Sequence, residues 1–233
     1  MKLGMVVRTT RRPAPATVAE LGRLGVATVH EAMGRTGLLG SGLRPVYAGA
    51  RIAGRAVTVL SQPGDNLMIH VAQELCQPGD VLVVGLLSPS TDGMFGELLA
   101  TALRARGVIG VVIDAGVRDV AELTEMQFPA WSRTVSAQGT VKATAGSVNV
   151  TVVVGGGLVH PGDVVVADDD GVVVVPFDAV EATAARARSR EANEAEKRRQ
   201  LADGAACLDL FGLRPTVEEL GIRYVDDGGP PGA

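Results

Sequence analysis

The chain has 233 residues, 46% of them hydrophobic but only 3% aromatic, with 22 basic and 26 acidic side chains for a net charge of −4. The length suits one α/β domain with appended helices or two small domains, and the core has to be built from Val, Leu, Ile and Ala. The apolar runs fall short of the roughly 20 residues that a bilayer span requires, and no basic block with interleaved aromatics marks a nucleic-acid surface. The N-terminal Met1–Arg8 stretch is too short in apolar length for a signal peptide, so a cytoplasmic protein with small-molecule or protein partners is expected. The two cysteines, Cys76 and Cys207, are too few for a disulfide framework or a Cys-rich zinc site and read as packed thiols.

Pro15 to Gly34 carries a helical rhythm broken at Gly22 and Gly25, which predicts two short helices with a turn between them. The Gly/Pro-rich stretch from Leu38 to Gly54 forbids a long element, and Ala56–Leu60 then alternates as a strand should. Asp65-Asn66 stands where an N-cap belongs, before a helix from Leu67 to Glu74. Pro78-Gly79-Asp80 launches a buried strand, Asp80–Val84, and a loop from Ser88 to Gly96 leads into a helix from Glu97 to its glycine stop at Gly107. Val111–Ile113 follows as a strand, then a loop through Asp119 and a helix from Val120 to Met126. This alternation is the grammar of a parallel layer.

From Thr134 to Val154, Thr, Val, Ser and Gly alternate without helical periodicity, and a second, mostly antiparallel sheet is expected, with Lys142 on one of its strands. Gly155-Gly156-Gly157 reads as a flexible turn; no helix follows it, so it is no phosphate cradle. Pro161-Gly162-Asp163 echoes the earlier tripeptide and opens Val164–Ala167, and a turn at Asp168–Gly171 leads to a further strand ending at Pro176. A long charged helix spans Asp178 to about Leu201, with Ala182, Ala185 and Ala192 too small for a deep core of their own; it packs on the body or on a neighbouring subunit. Residues 1–225 read as one domain and 226–233 as a disordered tail.

The chemistry is constrained by what is scarce. Motifs of zinc hydrolases and α/β-hydrolases are missing, and His30, His70 and His160 are isolated and read as structural or solvent-facing. Of the three lysines, Lys2 is terminal, Lys197 lies in the charged helix and Lys142 faces solvent, so carbonyl chemistry here needs a metal as electron sink rather than a Schiff base. The informative constellation is Gly96-Glu97-Leu98-Leu99 with Arg118-Asp119, Glu and Arg standing 20 residues apart. A helix start offers backbone N–H groups to a carboxylate, and Arg-Asp follows a strand, where open α/β sheets collect ligands. The helix returns straight into that strand, so both clusters can face one pocket. An Asp there is a hard ligand suited to Mg²⁺ or Mn²⁺; an ion pair that only ties the turn fits the same spacing.

Five segments carry a resemblance: Asp65-Asn66-Leu67-Met68-Ile69-His70, Gly96–Ala102, Val112–Val120, Trp131-Ser132-Arg133 and Ser136-Ala137-Gln138-Gly139-Thr140. Together they resemble the 4-hydroxy-4-methyl-2-oxoglutarate/4-carboxy-4-hydroxy-2-oxoadipate aldolases, whose superfamily also holds the regulator of ribonuclease activity A. The similarity runs from about Gly4 to Asp226. It implies a class II pyruvate aldolase with an α/β, swivelling β/β/α three-layer fold, N-terminal helices and a long C-terminal helix, assembled as a homotrimer or homohexamer with sites between subunits. It further implies that Asp119 binds Mg²⁺ (or Mn²⁺) directly and that Gly96, Glu97, Leu98, Leu99 and Arg118 hold the pyruvoyl carboxylate of an oxo-acid substrate. Arg118, Glu31 and Glu97 would serve catalysis, with Glu194 of a neighbouring chain reaching the metal through water. Oxaloacetate decarboxylation is the implied side activity, in aromatic-acid catabolism. The alternative is a non-enzymatic binding protein like the ribonuclease regulator, since a fold does not fix a function.

Overall fold

The computed structural model describes residues 3–225; the tail at 226–233, expected to be disordered, lies outside them. The chain divides into two compact units, Met1–Arg188 and Ser189–Ala233. In chain order the elements are α1 (Pro15–Leu24), α2 (Val26–Ala32), β1 (Arg44–Pro45), β2 (Ile52–Ser61), α3 (Leu67–Gln73), β3 (Asp80–Leu86), β4 (Gly93–Phe95), α4 (Glu97–Ala105), β5 (Gly110–Val117), α5 (Val120–Glu125) and β6 (Ala130–Val135). There follow β7 (Ser147–Val148), β8 (Val152–Val154), β9 (Gly157–Val159), β10 (Val164–Asp168), β11 (Gly171–Val175), α6 (Val180–Ala202), α7 (Cys207–Leu210) and α8 (Arg214–Glu219).

The main sheet runs in the order β1-β6-β5-β3-β2-β10-β11, with β4 paired to β5 and β7 to β2. Its centre is parallel: β2 with β3, β3 with β5, and β5 with both β4 and β6. These strands are Val-rich and buried on both faces because apolar groups cover each side. One face, with Val57, Val59, Leu82, Val84, Val111 and Ile113, packs on α3, α4 and α5 through Ile69, Leu99, Leu103 and Leu123. The opposite face, with Val81, Val83, Val112 and Trp131, meets Val152, Val154 and Val159 of the β8–β9 hairpin and Val165, Ala167, Val172 and Val174 of β10 and β11. The other side of β10 and β11 is covered by α1, α2 and the start of α6. The result is an α/β fold with two β layers, N-terminal helices and a long C-terminal helix, as expected.

Two expectations about the strands need correction. Thr134–Val154 does not build an extended second sheet: β7 pairs antiparallel with β2 and so joins the main sheet, as β10 does, and only the antiparallel β8–β9 hairpin stands apart. Most of Thr134–Val154 is not strand either; residues 136–146 are irregular apart from a bridge at Val141, and Lys142 sits exposed within that run. The β-like alternation there reflects small residues whose backbone groups are satisfied by neighbours. On α6, Ala182, Ala185 and Ala192 make no deep core, as expected: they are exposed, and the buried residues are Val180, Thr183, Ala184 and Ala187. In an Ala-rich helix the sequence does not distinguish the faces.

The repeated Pro-Gly-Asp has a local physical cause. Asp80 Oδ2 accepts the Gln77 N–H at 2.8 Å and Asp163 Oδ2 accepts the His160 N–H at 2.9 Å, the same closure across three residues at the head of β3 and of β10. Asp80 is fully buried and also accepts two bonds from the Arg55 guanidinium across the β2–β3 pair, at 2.9 and 2.7 Å, and one from Arg12 at 3.0 Å. In the second unit Lys197 lies 4.6 Å from the centre of the Phe211 ring, and Cys207, expected to be packed, is exposed because α7 and α8 bury no residue. Cys76 is packed as expected, and burial, then the nearby Asp80 charge, push its thiol up to about 12.

Asp80→Ala would leave the buried Arg55 cation without its partner, and should cost about 3–5 kcal/mol in denaturant unfolding. A loss below about 1 kcal/mol would mean that water replaces the carboxylate.

Candidate functional site

The parallel strands β2, β4, β5 and β6 end on one edge of the sheet, and the residues just beyond those ends are Asp65-Asn66, Gly96-Glu97, Arg118-Asp119 and Ser136-Ala137. Open α/β sheets collect ligands at this edge. The strand β4, read from sequence as loop, is what brings the pieces together. It lies beside the end of β5, and the Phe95 carbonyl accepts the Arg118 N–H at 2.9 Å. The start of α4 is thereby set against the start of α5.

Asp119 sits between the two helices. Its backbone is left-handed (φ 56°, ψ 44°) and it precedes α5, where its carbonyl accepts the Leu123 N–H at 2.9 Å. A non-glycine residue pays on the order of 1 kcal/mol for this conformation, and such strain concentrates at functional sites. The turn sends the carboxylate back to α4, where Oδ2 accepts the Glu97 N–H at 3.0 Å; Arg118 Nε stands 3.6 Å from the same oxygen. A cavity of about 330 Å³ opens here, lined by Arg118, Asp119, Val135, Ser136 and Ala137. Arg118 and Asp119 are both partly exposed, at 45% and 37%, so a ligand can reach them.

The other expected residues distribute as follows. Gly96 is in contact: an added Cβ would lie 2.3 Å from Asp119 Oδ2 and 2.9 Å from Arg118 Cγ. The Leu98 side chain is exposed and that of Leu99 is in the core, so what these two can offer a ligand is the backbone N–H of the first helical turn. The Glu97 carboxylate accepts the Thr101 hydroxyl at 2.9 Å, one turn along α4, and lines a different cavity of about 720 Å³ between α4 and α5, with Arg104, Glu122 and Glu125. Glu31 is not brought to the cavity within one chain. It lies on α2, which packs on β10 and β11, three and four strand spacings from β5, or about 14–19 Å along the sheet; its carboxylate meets Arg35 Nε at 3.1 Å. Glu194 belongs to the second unit and pairs with Arg190 at 2.8 Å. His30 Nδ1 lies 3.1 Å from the Thr36 carbonyl and His160 Nδ1 2.9 Å from the Thr151 hydroxyl, consistent with structural roles.

Two features escaped sequence reasoning. Arg133 and Asp114 form an ion pair with Nε to Oδ1 at 2.6 Å, and Asp114 Oδ2 also accepts the Gly155 N–H in the β8–β9 turn at 2.8 Å. Asp65 is buried, and its carboxylate accepts N–H groups from Leu67, Ala143 and Thr144 at 2.9, 2.8 and 2.7 Å. Burial alone would raise its pKa, but the three amide hydrogen bonds outweigh it and hold the group below the usual carboxylate range. Asp65, Asp114 and Arg133 all lie in segments that carry the resemblance, Asp65–His70, Val112–Val120 and Trp131–Arg133, but their partners are distant in sequence.

Gly96→Ala should destabilise the fold by about 1–3 kcal/mol, because the new methyl displaces the Asp119 carboxylate. Gly139→Ala, where the nearest atom to an added Cβ is Arg118 Nη1 at 4.0 Å, should stay within about 0.5 kcal/mol. Thermal unfolding of the pair checks this, and equal losses would contradict the close approach at Gly96.

The family described as RraA-like: Aldolase/RraA matches residues 26–174. A protein of Halalkalibacterium halodurans named "Putative 4-hydroxy-4-methyl-2-oxoglutarate aldolase" is 28% identical over 173 residues, 74% of this chain and 82% of that protein. One of the same name from Burkholderia multivorans is 35% identical over 143 residues, 61% of this chain and 87% of that protein. Among solved structures, Streptomyces coelicolor RraAS2, described as an unusual member of the RNase ES inhibitor RraA family, superposes with a TM-score of 0.74 at 30% identity, covering 82% of this chain and 99% of that one. An uncharacterized Pseudomonas syringae protein gives 0.74 at 26% identity, covering 86% and 99%. No helix among the described residues is long and apolar enough to cross a membrane. The chain belongs to the RraA-like family, described as Aldolase/RraA.

Proposed function

We propose that the protein is a class II pyruvate aldolase, cleaving 4-hydroxy-2-oxo acids in a divalent-metal-dependent retro-aldol reaction. Its substrates would be 4-hydroxy-4-methyl-2-oxoglutarate, giving two pyruvates, and 4-carboxy-4-hydroxy-2-oxoadipate, giving pyruvate and oxaloacetate. The observation that carries this reading is the Asp119 carboxylate, turned by a left-handed backbone onto the Glu97 N–H beside Arg118, at the mouth of a cavity. The names of the relatives from H. halodurans and B. multivorans support it.

The residues fit a hard cation. Asp119 offers carboxylate oxygens next to an open cavity of about 330 Å³, and Mg²⁺ is commonly held through one or two carboxylates while keeping waters and taking substrate oxygens. Among the described residues no group of three or more His, Cys, Asp or Glu gathers into an all-protein cage. When bound, Mg²⁺ or Mn²⁺ would supply Lewis-acid stabilisation of enolate charge.

The chain's own groups do the rest. The Leu98 and Leu99 N–H groups at the α4 start, with the Arg118 guanidinium, hold the C1 carboxylate. The C4 hydroxyl loses its proton, the C3–C4 bond breaks as C4 becomes a carbonyl, and the electron pair moves to C3 as the enolate of pyruvate, which then takes up a proton. Arg118 lowers the pKa of the water that accepts the hydroxyl proton and returns it to C3. Glu97 serves through its backbone N–H, which holds the Asp119 carboxylate. Glu31 and Glu194 act from neighbouring chains of a homotrimer or homohexamer; the placement of Glu31 across the sheet from Arg118 supports an intersubunit role for it. The same enolate is formed by decarboxylation of oxaloacetate, so that activity accompanies the aldol cleavage.

A second reading, a contact regulator without catalysis, is favoured by the likeness to RraAS2. Pyruvate release from 4-carboxy-4-hydroxy-2-oxoadipate, run with Mg²⁺, with EDTA and with Asp119→Ala, separates the two. The aldolase reading expects release that needs both the metal and Asp119; no release from the folded protein under any condition would favour the regulator. Arg118→Lys should lower turnover about a hundredfold or more while metal affinity changes far less. Unchanged turnover would contradict the role given to Arg118.

A further inference from the structure

The irregular run 136–146 is long for a connection without structure of its own, and such segments in compact domains are commonly functional. Here it is pinned at several points. Ser136 N–H donates to the Val117 carbonyl at 2.9 Å, the Gln138 carbonyl accepts the Gly93 N–H at 2.9 Å, and Val141 exchanges backbone bonds with Gly64 and Asn66 at 2.9 and 3.1 Å. The Asp65 carboxylate then takes the N–H groups of Ala143 and Thr144 on one oxygen, Oδ2. The next residue, Asn66, works in the other direction: its side-chain N–H donates to the Met94 carbonyl at 3.0 Å, two residues before Gly96. Both side chains are buried, at 3% and 7% exposure. Adjacent residues thus hold two flanks of the site: Asn66 the backbone that leads into Gly96, and Asp65 the 143–144 end of the segment whose first residues, Ser136 and Ala137, line the cavity.

We infer that Asp65 is a positioning residue for the half of the substrate beyond C3, acting through the 136–144 segment as the wall against which the C4 substituents are held. The inference rests on the aldolase reading. In that reading the C1 carboxylate is held at the α4 start, so the part of the substrate that leaves lies toward the remaining wall, formed by Val135, Ser136 and Ala137. Charge is essential to the anchor. Both carboxylate oxygens accept here, Oδ1 from the Leu67 N–H and Oδ2 from Ala143 and Thr144, whereas Asn has one acceptor oxygen and a donor NH₂ and cannot serve both ends.

The test compares two reactions of the full-length protein with Mg²⁺. Exchange of the methyl protons of pyruvate in D₂O uses only C1 to C3, whereas cleavage of 4-hydroxy-4-methyl-2-oxoglutarate also needs the far wall. Asp65→Asn should lower kcat/KM for cleavage at least tenfold and leave proton exchange within threefold. Asn66→Ala, which releases the α4 side, should lower both. Should Asp65→Asn fail to fold, Thr144→Pro removes one donor and leaves Asp65 in place, and a selective loss of about threefold in cleavage is expected. Parallel loss of both reactions in folded Asp65→Asn or Thr144→Pro would overturn the inference, as would no loss in either. A wild-type protein that neither exchanges nor cleaves would instead overturn the aldolase reading beneath it.

Discussion

The hydrogen bond from the Glu97 N–H to Asp119 Oδ2 is the contact on which the candidate site depends. It joins the first turn of α4 to the residue that starts α5, and three conditions have to hold for it to form. Asp119 must accept a left-handed backbone. Position 96 must lack a side chain, since a Cβ there would collide with the carboxylate. The short strand β4 must lie against the end of β5 so that the two helix starts meet. A negative group at a helix N-terminus is favoured by the dipole and by the unpaired amides, which offsets the backbone strain. The same arrangement that stabilises the carboxylate also keeps it fixed at the cavity mouth.

The fold supplies the rest by direction. Because β2, β4, β5 and β6 are mutually parallel or joined through parallel neighbours, their chain exits fall on one edge, and four sequence-distant pairs of residues arrive there together. The Val-rich strands, buried on both faces, make this edge rigid. What varies is how each exit is tied: β5 through the Phe95 carbonyl, β6 through the Val117 carbonyl, and the chain beyond β2 through Asp65 and Asn66.

Much of this was legible in the sequence, where periodicity or punctuation is strong. The paired N-terminal helices, the strands around Val57, Val83 and Val112, and the helix from Glu97 all follow from apolar spacing and Gly/Pro stops. The proximity of Gly96–Leu99 to Arg118-Asp119 followed from the short return of α4 into β5. Other features had no local signal. A three-residue strand such as Gly93–Phe95 has no period to read, and the left-handed turn at Asp119 is set by a tertiary partner. The run 136–146 looks β-like because its residues are small and β-branched, yet its amides are satisfied by Asp65 and by distant carbonyls. Whether β10 joins the first sheet depends on its pairing with β2, which composition does not encode. The role of Glu31 was suggested by resemblance alone, and its place on α2 follows from the fold.

The central proposal is that Asp119, held in place by the α4 start, would bind a divalent cation shared with a 2-oxo acid. Binding of Mn²⁺, followed by its electron paramagnetic resonance signal with and without pyruvate, tests this most directly. The account predicts that the protein takes up Mn²⁺, that pyruvate tightens the binding and that Asp119→Ala abolishes both effects. Equal Mn²⁺ uptake by the wild type and Asp119→Ala, indifferent to pyruvate, would contradict it.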